Sequence, residues 1–502
     1  EIAQCLVGSE MCIRDSNLIN SIAESAKNGK TAMINNGNII SYKELKDKID
    51  RACLYMKEET GIKERSLVLL VTPRCVEQIE LMLTFFSLNI AYCNIDFNEK
   101  KTRIGHIISN SRPQYIITTA EKAKEFDLEN YFVCGRYDAL NIYCCKEESP
   151  LFDEDVSYVL YTSGTTGVPK GVVIGKEAAY NFIFSIKEIM ISEDNGKIML
   201  NTAFNFDISF LESIASFYYG LTVVFMDMHL QNNPKKIASF IDEYSIDIVQ
   251  MTPSLLTNIY IYFRGNCAIF NKVKRLLVGG EKFPENMYEN LKKISDLSIY
   301  NMYGPTEATV WATFKKLDDG EINIGKALPG YNVFVVNDEN VIVKNEIGEI
   351  CISGKSVAIG YLNDKEMTES HFCKDISGYS PKMYRTGDLG IQHDNGEISY
   401  IGRKDTQVKF RGYRIELGEI ETAVKNYRLV EDAVVIMKTD KKTNLKTLIC
   451  FYMSNTEIDI KDINLFLSKM IPQYMIPQKY VRLDKFPLKL NGKIDRNSLM
   501  NI

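Results

Sequence analysis

The stretch Tyr161–Gly171, YTSGTTGVPKG, concentrates hydroxyls and glycines ahead of a single lysine. Thr162, Ser163, Thr165 and Thr166 supply hydroxyl donors. Gly164, Gly167 and Gly171 let backbone amides approach a ligand closely, and Lys170 adds a positive charge. That chemistry suits the polyphosphate of a nucleotide. It is not the GxxxxGK[ST] phosphate loop, because Pro169 stands directly before Lys170. Taken alone, the segment also fits a Ser/Gly surface loop.

The residues leading into this loop, VSYVLYT (156–162), read as a buried strand, so the loop emerges at the carboxyl end of a sheet, where open α/β folds bind ligands. SLVLLVT (66–72), QYIITT (114–119), LTVVFMD (221–227), IDIVQMT (246–252) and VKRLLVGG (273–280) repeat the pattern, and CVEQIELMLTFFSLN (75–89) reads as a helix. Near-continuous apolar strands with helical crossovers predict an α/β fold of largely parallel sheets covered on both faces. From about 331 to 404 the pattern changes to hairpins, with Asn-Asp-Glu-Asn turning NVFVVNDENVIV. A smaller α+β unit follows. It has a helix at IELGEIETAVKNY (415–427), strands at VEDAVVIMKT (430–439) and LKTLICFYM (445–453), and a helix at INLFLSKMI (463–471).

The 502 residues are too many for one core; 45% hydrophobic and 25% charged residues describe an ordinary globular chain. A net charge of −5 leaves no electrostatic footprint for nucleic acid or anionic lipid, and no apolar run has the length of a bilayer span. Twelve scattered cysteines without a CxxC pair read as reduced thiols of a cytoplasmic protein, with no metal site. Residues 1–16, without an initiator Met or a basic leader region, are set apart as a non-native or disordered extension.

Further segments fit the same nucleotide chemistry: NMYGPTEATVW (301–311), YRTGDLG (384–390), YIGRKDTQVKFRGYRIELGEIE (400–421) and PLKLNGKIDR (487–496). With these, from about ISYKEL (40–45) to Arg496, the chain resembles the adenylate-forming superfamily, specifically the adenylation domains of nonribosomal peptide synthetases. AYCNIDFNEKKTRI, FNFDIS, GEICISGKSVAIGYL and IPQYMIP fill the remaining motifs. Ile359 stands where Arg is usual, and Asn98 and Glu99 replace an acidic-aromatic-Pro stretch. The resemblance implies a large N-terminal domain (17–404) of two parallel-rich sheet subdomains and a β-rich subdomain (331–404), with a small α+β lid (405–502).

The resemblance also implies ATP and Mg²⁺ as cofactors. ATP would be held by Thr162, Ser163, Gly164, Thr165, Thr166, Lys170, Gly280, Glu281, Asn301, Gly304, Thr306 and Tyr400. Tyr303 would stack on adenine, Asp388 would accept the ribose hydroxyls with Arg403 assisting, and Glu307 would bind Mg²⁺. Lys493 would bridge the substrate carboxylate and the developing charge. The lid would then turn about a hinge at Asp405 and bring Gly412 to the site, leaving room for a phosphopantetheine arm.

Asp207, in FNFDIS, matches the position where amino-acid-activating members pair the substrate ammonium; an acyl substrate gives no reason to bury a carboxylate there. Motif alignment places Ile208, Leu211, Gln250, Leu277, Gly279, Met302, Val310 and Trp311 around it. The set resembles a glycine-activating pattern, with Leu211, Met302 and Trp311 filling the side-chain space. The expected reaction is ATP-dependent adenylation of an amino acid, best glycine, followed by thioester transfer to a separate phosphopantetheinylated carrier protein. The enzyme would be a monomer, either freestanding or a module of a longer synthetase, with no nucleic-acid or membrane partner. A D-alanine–carrier protein ligase, an acyl-CoA or aryl-CoA ligase, and a non-catalytic interaction protein are the alternatives.

Overall fold

The computed structural model describes residues 17–163, 169–191, 196–230, 233–283, 285–318, 320–405, 407–440, 443–487 and 494–502. Residues 1–16 therefore lie outside the described part.

The apolar runs become the centres of two sheets. In the first, Val156–Thr162, Ala91–Asn94, Leu67–Val71 and Tyr115–Thr118 lie side by side and parallel. All five residues of Leu67–Val71 are buried, as a strand covered on both faces requires. The flanks of this eight-stranded sheet are antiparallel. Lys170–Gly175 folds back on Val156–Thr162, and the hairpin Tyr131–Tyr137/Leu140–Cys145 closes the far edge. That hairpin has no counterpart in the sequence reading.

In the second sheet, of nine strands, Thr31–Asn35, Thr222–Phe225, Lys197–Leu200, Ile248–Met251, Arg275–Gly279 and Ser298–Tyr303 are parallel in that spatial order. The register sets Gln250 beside Leu277 and Gly279 beside Met302, so widely separated residues meet at the carboxyl ends of these strands. The crossover helices start where capping chemistry says they should. Ser41 and Glu44 form a reciprocal capping box at the head of Tyr42–Glu58, and Thr252 caps Pro253–Tyr262 with proline in its first turn.

The predicted hairpin region forms a six-stranded antiparallel sheet from Tyr331–Val336 to Ile398–Arg403. Its Asn-Asp-Glu-Asn turn is held by Asn337, whose side-chain oxygen accepts from the amides of Glu339 and Val341, both at 3.0 Å. The C-terminal unit pairs Gln407–Phe410 with Tyr413–Glu416, then adds the helix Leu417–Lys425 and a three-stranded sheet. The predicted helix 415–427 therefore begins later, because its first two residues pair across the turn at Arg411–Gly412. The helix read at 463–471 lies at Ile460–Leu467, with Asp459 as its cap. This two-sheet core with a β-rich subdomain and a small C-terminal α+β unit is the α/β architecture expected from the sequence.

Candidate functional site

The loop after Val156–Thr162 is flanked by Thr162 and Lys170, which oppose each other across the two strands. Gly164, Thr165 and Thr166 lie outside the described residues. The Thr162 hydroxyl is buried without a partner among the described residues. The Ser163 hydroxyl donates to the Arg414 carbonyl of the C-terminal unit at 2.6 Å. Lys170 does not stand free: its Nζ lies 3.3 Å from Glu307 Oε1 and donates to Tyr361 Oη at 3.0 Å. Burial pulls its pKa down, and the Glu307 carboxylate opposes that pull.

Glu307 is fully buried on the short turn Thr306–Ala308. Tyr361 donates to its Oε1 at 2.8 Å, and Arg414 Nη1 donates to its Oε2 at 2.8 Å. Burial alone would raise its pKa, but Arg414 and Lys170 outweigh it and hold the carboxyl well below the usual range. Mg²⁺ usually keeps one or two protein carboxylates and fills its shell with phosphate and water. Among the described residues no cluster of three metal-ligating side chains exists, and Glu307 suits the single-carboxylate kind of site. Tyr361 and Lys170 face one Glu307 oxygen and Arg414 the other, so a cation there would share the carboxylate with these groups.

Tyr303, Asn301, Gly280, Gly304 and Tyr400 line an adjoining cavity with Arg403. The Tyr303 hydroxyl donates to Asp388 Oδ2 at 2.7 Å, and Arg403 Nη1 donates to Asp388 Oδ1 at 2.8 Å. Both Asp388 oxygens expected to take ribose hydroxyls thus already accept a protein donor. Lys409 Nζ stands 5.2 Å from the Tyr303 ring centroid and 5.9 Å from that of Tyr400. The expected adenine platform is therefore in contact with a lysine ammonium, whose pKa burial lowers against the pull of Asp388. Asn301 donates to the Asn323 carbonyl at 2.8 Å.

Glu281, expected at the nucleotide, instead receives the C-terminal unit. Its Oε1 accepts from the Gly412 amide at 2.7 Å, and its Oε2 accepts from Ser254 at 2.8 Å and from Lys446. Gly412 has φ of 84°, and a Cβ there would lie 2.5 Å from Thr252 Cγ2. Only glycine takes that backbone shape with that clearance. Elsewhere the unit is held by Arg103–Glu419 at 2.9 Å and by Phe206 edge-on to Tyr413, whose ring is stacked within the unit on Tyr474. Asp405, the expected hinge, pairs through both oxygens with Arg403 at 2.7 and 2.6 Å. Lys493 lies outside the described residues.

Asp207, Ile208 and Trp311 face the cavity beside Thr306. Thr306, expected at ATP, donates to Asp207 Oδ2 at 2.6 Å. No cation pairs with Asp207 among the described residues, and burial lifts its carboxyl to about 6 despite the Thr306 bond. Leu211, Gln250, Leu277, Gly279, Met302 and Val310 are buried but do not line that cavity, and Met302 lines the adjoining one beside Tyr303. Gly279 is occupied at van der Waals range: a Cβ would stand 2.4 Å from Trp311 Cη2. The edge of the indole therefore packs directly against the strand at Gly279. Its Nε1, like the Gln250 Nε2, has no partner among the described residues.

The residues that the individual assignments missed are Tyr361, Lys409, Arg414, Lys446 and the pair Arg103–Glu419. Four of these side chains (Tyr361, Lys409, Arg414 and Glu419) stand inside GEICISGKSVAIGYL and KFRGYRIELGEIE, segments already singled out. An arginine or tyrosine within such a segment was the available signal.

Residues 22–362 match the model of a family described as AMP-binding enzyme, and residues 419–493 match that of the AMP-binding enzyme C-terminal domain. The chain is 32% identical over 477 residues to the dimodular nonribosomal peptide synthase of Bacillus subtilis (strain 168), covering 92% of this chain and 20% of that protein. It thus spans about a fifth of that relative's length. Among solved structures, the four-domain nonribosomal peptide synthetase AB3403, bound to AMP and glycine, is 28% identical with a TM-score of 0.65, over 96% of this chain and 36% of that one. The Vibrio cholerae adenylation domain AlmE, in complex with glycyl-adenosine-5'-phosphate, has a TM-score of 0.82 at 17% identity, over 98% and 97% of the two chains. That last likeness is one of fold.

Proposed function

Because the chain belongs to the AMP-binding enzyme family, we propose that it activates glycine as glycyl-AMP and then passes the glycyl group to the phosphopantetheine thiol of a carrier protein. The observation that carries the amino-acid reading is Asp207, a buried carboxylate with no cation among the described residues and a carboxyl lifted to about 6. A substrate ammonium supplies the missing charge. Trp311, packed against Gly279 and sharing a cavity with Asp207, supports a substrate with little or no side chain. The match to a synthetase captured with AMP and glycine supports the same substrate.

In the first reaction the glycine carboxylate attacks the α-phosphorus of ATP, the bond to the bridging oxygen breaks, and pyrophosphate leaves. Lys493 bridges the carboxylate and the phosphoryl oxygens, and the loop before Lys170 holds the departing phosphates. Glu307 would hold Mg²⁺, which when bound would supply charge neutralisation on those phosphates. In the second reaction a thiolate attacks the acyl carbon and AMP leaves. The docked Gly412 loop fits this second arrangement: Gly412 lines the cavity that Asp207 faces and lies against Thr252.

Amino-acid-dependent ATP–pyrophosphate exchange tests the reading, using the proteinogenic set and D-alanine with Lys493→Ala as control. The expected maximum is glycine, preferred over alanine by about 10–200-fold, the discrimination one methyl allows. A D-alanine maximum would move the assignment to D-alanine–carrier protein ligases. Absence of exchange with every amino acid, alongside CoA-dependent consumption of an aryl or fatty acid, would overturn it.

A further inference from the structure

The position of Trp311 is set by a strained piece of backbone outside the reacting groups. Thr309 and Val310 have φ of 57° and 68°, both in the left-handed region. For a β-branched residue such as Val310 this is a marked outlier. The Trp311 amide donates to the Thr309 carbonyl at 2.9 Å, closing a three-residue turn of the rare, strained hand. A flip of the peptide between Thr309 and Val310 would return Val310 to ordinary backbone and release Trp311 from Gly279. Strain of this kind persists only where neighbours over-determine it.

The neighbours are identifiable. The buried Tyr331 hydroxyl donates to the same Thr309 carbonyl at 3.2 Å, so that oxygen carries two donors and a flip would strand Tyr331. The Thr309 hydroxyl donates to the Ser356 carbonyl at 2.8 Å, fixing the residue from its other side. Gly304 lets the turn lie close: a Cβ there would stand 2.6 Å from both Trp311 Cα and the Val310 carbonyl oxygen. Beyond the turn, the Ala312 amide donates to the Tyr303 carbonyl at 2.8 Å, so the chain is tied on both sides of the indole.

We propose that Tyr331 is a positioning residue for substrate selection: its hydroxyl holds the turn at Val310, the turn holds the Trp311 ring on Gly279, and the ring sets the depth of the substrate pocket. The selectivity arm of this proposal rests on the glycine reading above; the geometric arm does not.

The full chain contains a single tryptophan, so its fluorescence reports on Trp311 alone. In Tyr331→Phe the alanine-to-glycine ratio of kcat/KM is expected to rise about fivefold, as the loss of one buried hydrogen bond implies. The glycine kcat should stay within about twofold, and acrylamide quenching of Trp311 should increase. Thr309→Val, which removes the bond to Ser356, should move both readings the same way. General loosening of the fold would instead lower glycine kcat and the thermal midpoint together. Quenching and selectivity that match the parent in both variants would overturn the proposal. A parent protein that does not activate glycine would remove the glycine reading, and the quenching comparison would still decide the role of Tyr331.

Discussion

Asp207→Asn should make the protein more stable and nearly inactive, and the size of both effects follows from the burial of one carboxylate. Burial lifts the Asp207 carboxyl to about 6. An unperturbed aspartate titrates near about 3.9, so the shift is about two units, and at about 1.4 kcal/mol each the ionised group costs the folded state about 3 kcal/mol. A raised acid binds its proton more tightly in the native state. The cost is therefore absent below the unfolded pKa, grows between about 4 and 6, and is complete above the folded value. Asparagine keeps an oxygen for Thr306 and carries no charge. The thermal midpoint of Asp207→Asn should thus exceed that of the parent at pH 8, with the difference shrinking as pH falls to 5 and vanishing near 4. Loss of the ammonium's buried counter-charge is worth about 3–5 kcal/mol, or about two to three and a half decades in kcat/KM for glycine by pyrophosphate exchange. In the parent, kcat/KM for glycine should fall as pH drops below about 6, where Asp207 takes up its proton. A variant with a lower midpoint at pH 8 that still exchanges within threefold of the parent would refute the reasoning.

Two further substitutions separate the reactions. Arg414→Ala removes the guanidinium on Glu307, so single-turnover thioester formation should fall by about ten- to a hundredfold, about 1.5–3 kcal/mol for a hydrogen bond to a charged group, while pyrophosphate exchange stays within about threefold. Gly412→Ala puts a Cβ 2.5 Å from Thr252 Cγ2 at a φ of 84°; carrier loading should drop more than about tenfold with exchange preserved, since strain and clash cost about 1–3 kcal/mol each.

The strand-turn patterns of both central sheets could be read from the chain because their apolar runs are continuous and bounded by turns. The hairpin Tyr131–Cys145 could not, because an edge that is half exposed carries neither a continuous run nor a clean alternation. Part of the set around Asp207 was legible: Ile208 and Trp311 share its cavity, and sheet register pairs Gln250 with Leu277 and Gly279 with Met302. What each charged group touches was not. Lys170, Glu307 and Glu281 were each read against a ligand, and the fold satisfies each with another side chain. Arg414 and Glu307 are 107 residues apart, and Lys446 and Glu281 are 165 apart. Such pairs depend on where the C-terminal unit sits, which local pattern does not encode.

The apolar clusters of the C-terminal unit, around Phe410, Ile420 and Leu448 and around Val434 and Phe451, contain no residue of the larger part of the chain. Among the described residues, what joins the two parts is mostly ion pairs and hydrogen bonds, at Glu281, Glu307 and Arg103, with the ring contact of Phe206 on Tyr413. Detaching the unit therefore wets charges rather than a core. Its swing should be nearly silent in heat capacity and strongly dependent on ionic strength, whereas melting either part exposes apolar surface and carries a large heat-capacity change. A swing of the unit between the two proposed reactions would therefore draw on different forces from unfolding, and could recur without approaching denaturation.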